Sequence, residues 1–244
     1  MVILIALAVM AGAVAQRVSG MGFALVVAPV LVLLIGPFDG VLMVNICGAA
    51  SALMVFTRVW RQISWRHYFL LAIPAVLAVV PGSMIAVAVD GPTLQITVGV
   101  ILTVALTVSL LVTRGAHRTP TTPTGIIAGT ASGLMSATAG ISGPAVGVFA
   151  VLTRWEHRTF AATLQPYFFT LGASAFFGKI IASDGALPDY EWWLWVLVVA
   201  CTVAGLLMGE FVAKKVSVRV ARLTVIVISY AGGVAAIVDG LKSL

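Results

Sequence analysis

The sequence predicts an all-α integral membrane protein made of two inverted-topology repeats, each of about five hydrophobic segments, some of them short or re-entrant. Three observations carry this. Of the 244 residues, 61% are hydrophobic and 9% are charged, with a mean hydropathy of +1.14, whereas soluble domains carry roughly 25% charged residues. A glycine-rich break occurs twice, as Ser19-Gly20-Met21-Gly22-Phe23 leading to Pro29 and as Ala139-Gly140-Ile141-Ser142-Gly143-Pro144, about 120 residues apart. Finally, the charge of matched loops changes sign between the two halves.

The segments follow from Gly, Pro and charge as punctuation. In the first half, apolar runs cover 1–18, 20–35, 38–57, 68–89 and 92–113. In the second they cover 124–139, 142–153, 158–181, 190–212 and 220–239. Gly36-Pro37-Phe38-Asp39-Gly40 separates the second run from the third, and Asp90-Gly91-Pro92 the fourth from the fifth. Asp184-Gly185-Ala186-Leu187-Pro188-Asp189 ends the eighth run. Residues 1–113 form an N-terminal transmembrane repeat and 124–244 a C-terminal one. The polar stretch 114–123, with Arg114, His117 and Arg118, is the cytoplasmic linker between them. A run such as 142–153 rises only ~18 Å as a helix, against a hydrocarbon core of ~30 Å. Short pieces of this kind read as half-helices or re-entrant hairpins, which leaves roughly seven to ten full spans.

Charge sets the orientation. Arg58, Arg61 and Arg66 share one loop, Arg154 and Arg158 another, and Lys214, Lys215, Arg219 and Arg222 a third. With the linker, these face the cytoplasm. Asp39, Asp90 and the Asp184–Glu191 loop face the other side. The Arg58–Arg66 loop is inside, while its counterpart after segment eight is outside, and Asp90 and Lys214–Lys215 are reversed in the same way. An odd number of segments per half produces that flip, and with it a pseudo-two-fold axis in the membrane plane.

At these residues the chain resembles the sulfite exporter TauE/SafE family of anion transporters, whose members are built of two related halves, each opening with a Gly-rich stretch that leads to a proline. Here those stretches are Gly20-x-Gly22 to Pro29, and Gly140-Ile141-Ser142-Gly143-Pro144 followed by Arg154 to Gln165. Ala145 stands where many members have a second proline. The resemblance covers essentially the whole chain. It implies a multi-pass protein of the bacterial cytoplasmic membrane that exports sulfite, or an organosulfonate such as sulfoacetate, as a secondary transporter working by alternating access. An anion channel on the same scaffold, or a non-transporting membrane assembly partner, is the alternative. Protons are a candidate coupling ion.

An anion at the membrane midplane needs donors rather than a desolvated counter-charge. Helix N-termini supply free N–H groups and a partial positive potential, and glycine lets the backbone approach closely. The substrate-binding candidates are therefore Gly20, Met21, Gly22, Ser142, Gly143 and Pro144, as two opposed half-helix tips. Close packing of small residues explains the same glycines without a ligand. Ser142 is placed to cap the seventh segment or to turn its hydroxyl to substrate. Asn45 and Gln165 lie in apolar runs at the same offset, and an amide there is costly without a partner. Each is either an anion donor or an interhelical hydrogen bond. Thr138, with Thr130, Ser132 and Ser136, makes the sixth segment polar enough to line a pathway. Arg17 at the inner mouth and Lys179 at the outer mouth are candidate lures for the anion, with Lys179 expected to snorkel outward. Glu210 is expected to pair with Lys214 four residues on.

Other classes are excluded by what the chain lacks. The basic residues are dispersed over short loops and form no nucleic-acid patch. Cys47 and Cys201 sit in apolar runs as small hydrophobes. His67, His117 and His157 are in or beside loops, and neither HExxH, CxxC nor a P-loop is present, so no metal, cofactor or enzymatic chemistry is expected. Met1 to Ala15 has no basic leader, so no cleaved signal peptide is expected. The aromatics at Trp60, Trp65 and Tyr68, and at Tyr190, Trp192, Trp193 and Trp195, read as interfacial belts.

Overall fold

The computed structural model describes residues 1–112, 122–186, 188 and 190–244, with residues 218 and 219 described by their backbone alone. The linker centred on Arg114–Arg118 and the turn residue Asp189 lie outside the described residues.

Among the described residues ten α-helices form, one for each apolar run: α1 (Val2–Ser19), α2 (Phe23–Ile35), α3 (Pro37–Val59), α4 (Trp65–Ala88), α5 (Gly91–Val112), α6 (Thr122–Ala139), α7 (Gly143–Thr153), α8 (His157–Ala182), α9 (Trp192–Lys215) and α10 (Val218–Lys242). Their ends fall where local chemistry forbids continuation. Gly20 (φ 85) stops α1 in the left-handed region that glycine alone adopts without strain. Gly36 breaks the chain before Pro37, which opens α3 at the position where a missing N–H costs nothing. The carboxylate of Glu156 accepts the N–H groups of Arg158 and Thr159 and so starts α8.

Among the described residues six helices are long and apolar enough to cross a membrane: α1, α3 with its 3-10 extension to Gln62, α4, α5, α9 and α10. That is fewer than the seven to ten expected. The helices α6 and α8 have the length, but their hydroxyl, amide and charged residues dilute the apolar signal. The helices α2 and α7 are apolar but only 13 and 11 residues long, half-span pieces as their sequences predict. Pro29 lies inside α2 and cannot bond the Leu25 carbonyl; Ser229 of α10 donates its hydroxyl to that oxygen at 2.8 Å, the usual rescue of a proline-freed group in a membrane helix.

The four most extensive helix pairings are α4 with α6, α1 with α9, α5 with α10 and α3 with α8. Each pairs one helix from the first half with one from the second. Each also has a glycine where the backbones meet. A Cβ on Gly133 would come within 2.0 Å of the Ala75 carbonyl, one on Gly205 within 2.5 Å of Met10, one on Gly99 within 2.5 Å of Gly233 and one on Gly172 within 2.5 Å of Asn45. Small residues at helix crossings are how membrane helices gain contact when lipid is as apolar as they are. The core lies among α1, α2 and α3 and the inner faces of α5, α9 and α10. Outward-facing Leu77, Met84, Val104, Leu111 and Val227 form the lipid-facing skin.

Candidate functional site

The two breaks come together at the centre of the protein. At the first, Gly20 caps α1 and Gly22 precedes α2. At the second, Gly140 (φ 70) ends α6 and donates to the Ser136 carbonyl at 3.0 Å, and Ser142 precedes α7. A Cβ on Gly143 would lie 3.7 Å from Met21, so the two loops abut. Neither α2 nor α7 has a side-chain cap. Their first N–H groups, including those of Phe23, Ala24 and Gly143, belong to residues lining one small cavity.

That cavity is about 40 Å³, room for about three waters. Its polar wall is Gln16, Asn45, Ser136 and Ser142; Met21, Phe23, Phe168 and Gly172 close it elsewhere. All four polar residues are buried. The Asn45 amide donates to the Ser136 carbonyl at 3.1 Å and accepts the Ser136 hydroxyl at 3.3 Å. Gln16 donates its amide to Gln165 at 3.5 Å, and Gln165 donates in turn to the Ala161 carbonyl at 2.9 Å. The Ser142 carbonyl accepts from Ser132 at 2.9 Å, while its own hydroxyl makes no hydrogen bond among the described residues. Ser142 stands at the N-cap position of α7 without the side-chain cap bond that its type allows.

These contacts repeat. Gln16 and Ser136 are 120 positions apart, as are Asn45 and Gln165. Both contacts cross between the halves, and the 120-residue offset carries the Asn45–Ser136 contact onto the Gln165–Gln16 contact.

The candidates divide as follows. Met21, Asn45, Ser142 and Gly143 line the cavity. Gln165 stands behind Gln16 and, with Gly20 and Arg17, lines a neighbouring cavity of about 200 Å³ that also touches Gln62, His157 and Arg158. Gln16 belongs to both cavities and separates them. Pro144 lines a different cavity. Gly22 is a packing glycine, since a Cβ there would lie 2.9 Å from Ala15 and Ser19. Thr138 is buried and donates to its own helix at Leu134, 2.7 Å away, so its hydroxyl is committed to the backbone.

Two charged residues behave differently from expectation. Lys179 does not snorkel: it is 0% exposed, its Nζ has no hydrogen-bond partner, and it lies 5.1 Å from the centre of the Phe38 ring. Phe38 from α3 packs against a side chain whose sequence position is only three residues from the helix end. Glu210 does not pair with Lys214. It binds Arg58 and, at 3.4 Å, Arg17, tying α9 to α3 and α1, while Lys214 lies 5.9 Å from the Phe211 ring. Gln16 is the residue that sequence reasoning missed, although an amide inside an apolar run is a visible signal.

With this geometry in place, the comparison with known families is decisive: the family profile for sulfite exporter TauE/SafE matches residues 4–236. The chain belongs to the TauE/SafE family. Comparison with curated proteins and with solved structures gave no significant match. Members of this family are membrane transporters, not enzymes, and the implied cargo is a small sulfur-containing anion. No group of three metal-ligating side chains occurs among the described residues. The family assignment, with six membrane-length helices, makes the chain a multi-pass membrane transporter.

Proposed function

We propose that the protein is a secondary transporter that exports sulfite, or an organosulfonate such as sulfoacetate, across the bacterial cytoplasmic membrane by alternating access. The observation that carries this reading is the cavity where the uncapped N-termini of α2 and α7 meet the buried amides of Gln16 and Asn45 and the Ser142 hydroxyl. These are neutral donors, suited to an oxyanion that must also leave. The pairing of α1 with α9 and of α4 with α6, and the matched Asn45–Ser136 and Gln165–Gln16 contacts, support two inverted repeats with a central pseudo-two-fold axis. The domain boundaries at 113 and 124 follow from the same repeat.

In this scheme the anion displaces the cavity waters and takes hydrogen bonds from the two helix tips and Ser142. Gln16 and Gln165 separate the site from the vestibule that holds Arg17 and Arg158. Arg158, with the share of the Arg17 charge that Glu210 leaves, raises the local anion concentration there. Export of a monovalent anion from a negative interior gains about 2.3 kcal/mol per 100 mV, so the anion's own gradient and the membrane potential suffice; coupled protons would add to them.

Flux of sulfite and of sulfoacetate in proteoliposomes tests the reading, with chloride as control. Ser142→Leu lowers the flux by about tenfold or more, the effect of losing one buried donor of ~1.4 kcal/mol, and Gln165→Ala lowers it by removing the acceptor that holds the Gln16 amide in place. If both variants fold normally and transport at the original rate, the site is elsewhere.

A further inference from the structure

A separate cavity of about 330 Å³ is walled by α5, α7 and α10. Its body is apolar, formed by Leu106, Leu110, Val151, Val225 and Ile226. Its charge is gathered at helix ends that the loop charges place on the cytoplasmic side. Arg154 follows α7, His157 begins α8, and Arg222 lies one turn into α10. Arg154 and Arg222 are exposed and form no salt bridge among the described residues. The Arg154 backbone is held at φ 49 by its N–H bonding back to Ala150 and Val151, a left-handed conformation that an arginine rarely adopts.

We propose that this cavity binds an anionic phospholipid of the cytoplasmic leaflet, with the phosphate at Arg154 and Arg222 and an acyl chain along Leu106, Leu110 and Ile226. Two unpaired guanidiniums at the rim of an apolar slot fit a molecule that is anionic at one end and hydrocarbon at the other. A small soluble oxyanion would use the charges and leave the apolar wall unfilled. Basic pockets between membrane helices on the cytoplasmic side select anionic headgroups in this way, because that leaflet is itself negative. The helices α5 and α10 also present apolar faces outward, including Val104, Leu111 and Val227, to the bilayer that would supply such a lipid. The occupant is consequential, because Met21 and Leu25 line both this cavity and the central one.

Lipid retention by the detergent-purified full chain, followed by native mass spectrometry, tests this. Dioleoyl phosphatidylglycerol is compared with dioleoyl phosphatidylcholine, and each is challenged with methanesulfonate. The expected result is retention of phosphatidylglycerol about tenfold above phosphatidylcholine. Arg154→Gln with Arg222→Gln abolishes that preference, and Arg154→Lys with Arg222→Lys keeps it. Ile226→Trp fills the slot and lowers retention of both lipids. Equal retention by the unaltered protein overturns the proposal, and so does a preference that survives the double glutamine variant with its melting temperature unchanged. Displacement of phosphatidylglycerol by methanesulfonate also overturns it and assigns the cavity to the soluble anion's route.

Discussion

The ammonium of Lys179 rests 5.1 Å from the centroid of the Phe38 ring, fully buried and without a hydrogen-bond partner. The next residue, Asp39, is its electrostatic neighbour and accepts the Tyr190 hydroxyl at 3.3 Å. A buried cation held by a ring face and a carboxylate out of contact is under-compensated. Lys179→Met, which keeps most of the volume, is expected to stabilise the detergent-solubilised protein by about 1–3 kcal/mol. Asp39→Asn is expected to destabilise it, and to do so much less when Lys179 is already Met. Melting temperatures of the two single variants and the double variant decide the matter; additive effects would mean that the two residues are not coupled.

The glycine seams give a sharper contrast. Gly133→Ala puts a methyl 2.0 Å from the Ala75 carbonyl, and backbone cannot yield as a side-chain tip does. A loss of about 1–3 kcal/mol follows. Gly91 opens α5 with nothing within 4 Å of its would-be Cβ and no positive φ. Gly91→Ala is expected to be neutral or stabilising by up to ~1 kcal/mol. Thermal unfolding of the two variants side by side checks both, and similar behaviour would discount the seam.

Glu156 provides a pH dependence outside the membrane-spanning segments. Its carboxylate accepts from the Thr159 hydroxyl and from the N–H groups of Thr159 and Arg158, which holds its pKa below the ordinary value of 4.5. A carboxylate depressed in the folded state stabilises fully above its unfolded pKa, and the benefit disappears as pH falls through the folded value. Glu156→Gln should therefore lower the melting temperature at pH 7, and the gap to the original protein should narrow as pH falls below 4.5 and close once it has passed the folded value. A gap that persists unchanged at pH 3 would show that charge is not what the cap contributes.

The Glu210 cluster is exposed enough for salt to reach it. Side-chain exposures of 38% for Arg17, 64% for Arg58 and 35% for Glu210 limit each pair to about 1 kcal/mol or less. Double-mutant cycles are expected to find coupling of Glu210 to Arg17 and to Arg58 that shrinks between 0.05 and 0.5 M salt, as about tenfold more salt shortens the screening length. Lys214→Met should show no coupling to Glu210.

Much of the fold was legible because its punctuation is local. Gly20, Gly36, Pro37, Gly140 and Pro144 set helix ends by their own backbone preferences, and every apolar run became a helix within a few residues of its expected bounds. Asn45, Met21, Ser142 and Gly143 were readable at the cavity because an amide or a glycine break stands out in an apolar run. Gln16 obeys the same rule, yet its repeat partner Ser136 is a hydroxyl, and a search for matched amides passes over it. What sequence distance cannot carry is tertiary cover. Three residues from a helix end says nothing of whether Phe38 will close over Lys179. A lysine one turn away was a weaker partner for Glu210 than two arginines brought in by α1 and α3.

The four glycine seams have a mechanical consequence. Every one of them joins a helix of the first half to a helix of the second, so the halves are entwined rather than set side by side. Severing the chain between them would not yield two self-standing lobes, since each half would expose the backbone grooves that the other fills. A cleft that opens by lobes swinging apart is not available to such a weave. On the proposed alternating-access reading, exposure of the central cavity to either face comes from flexing within the weave, where Gly20 and Gly140 interrupt the helices.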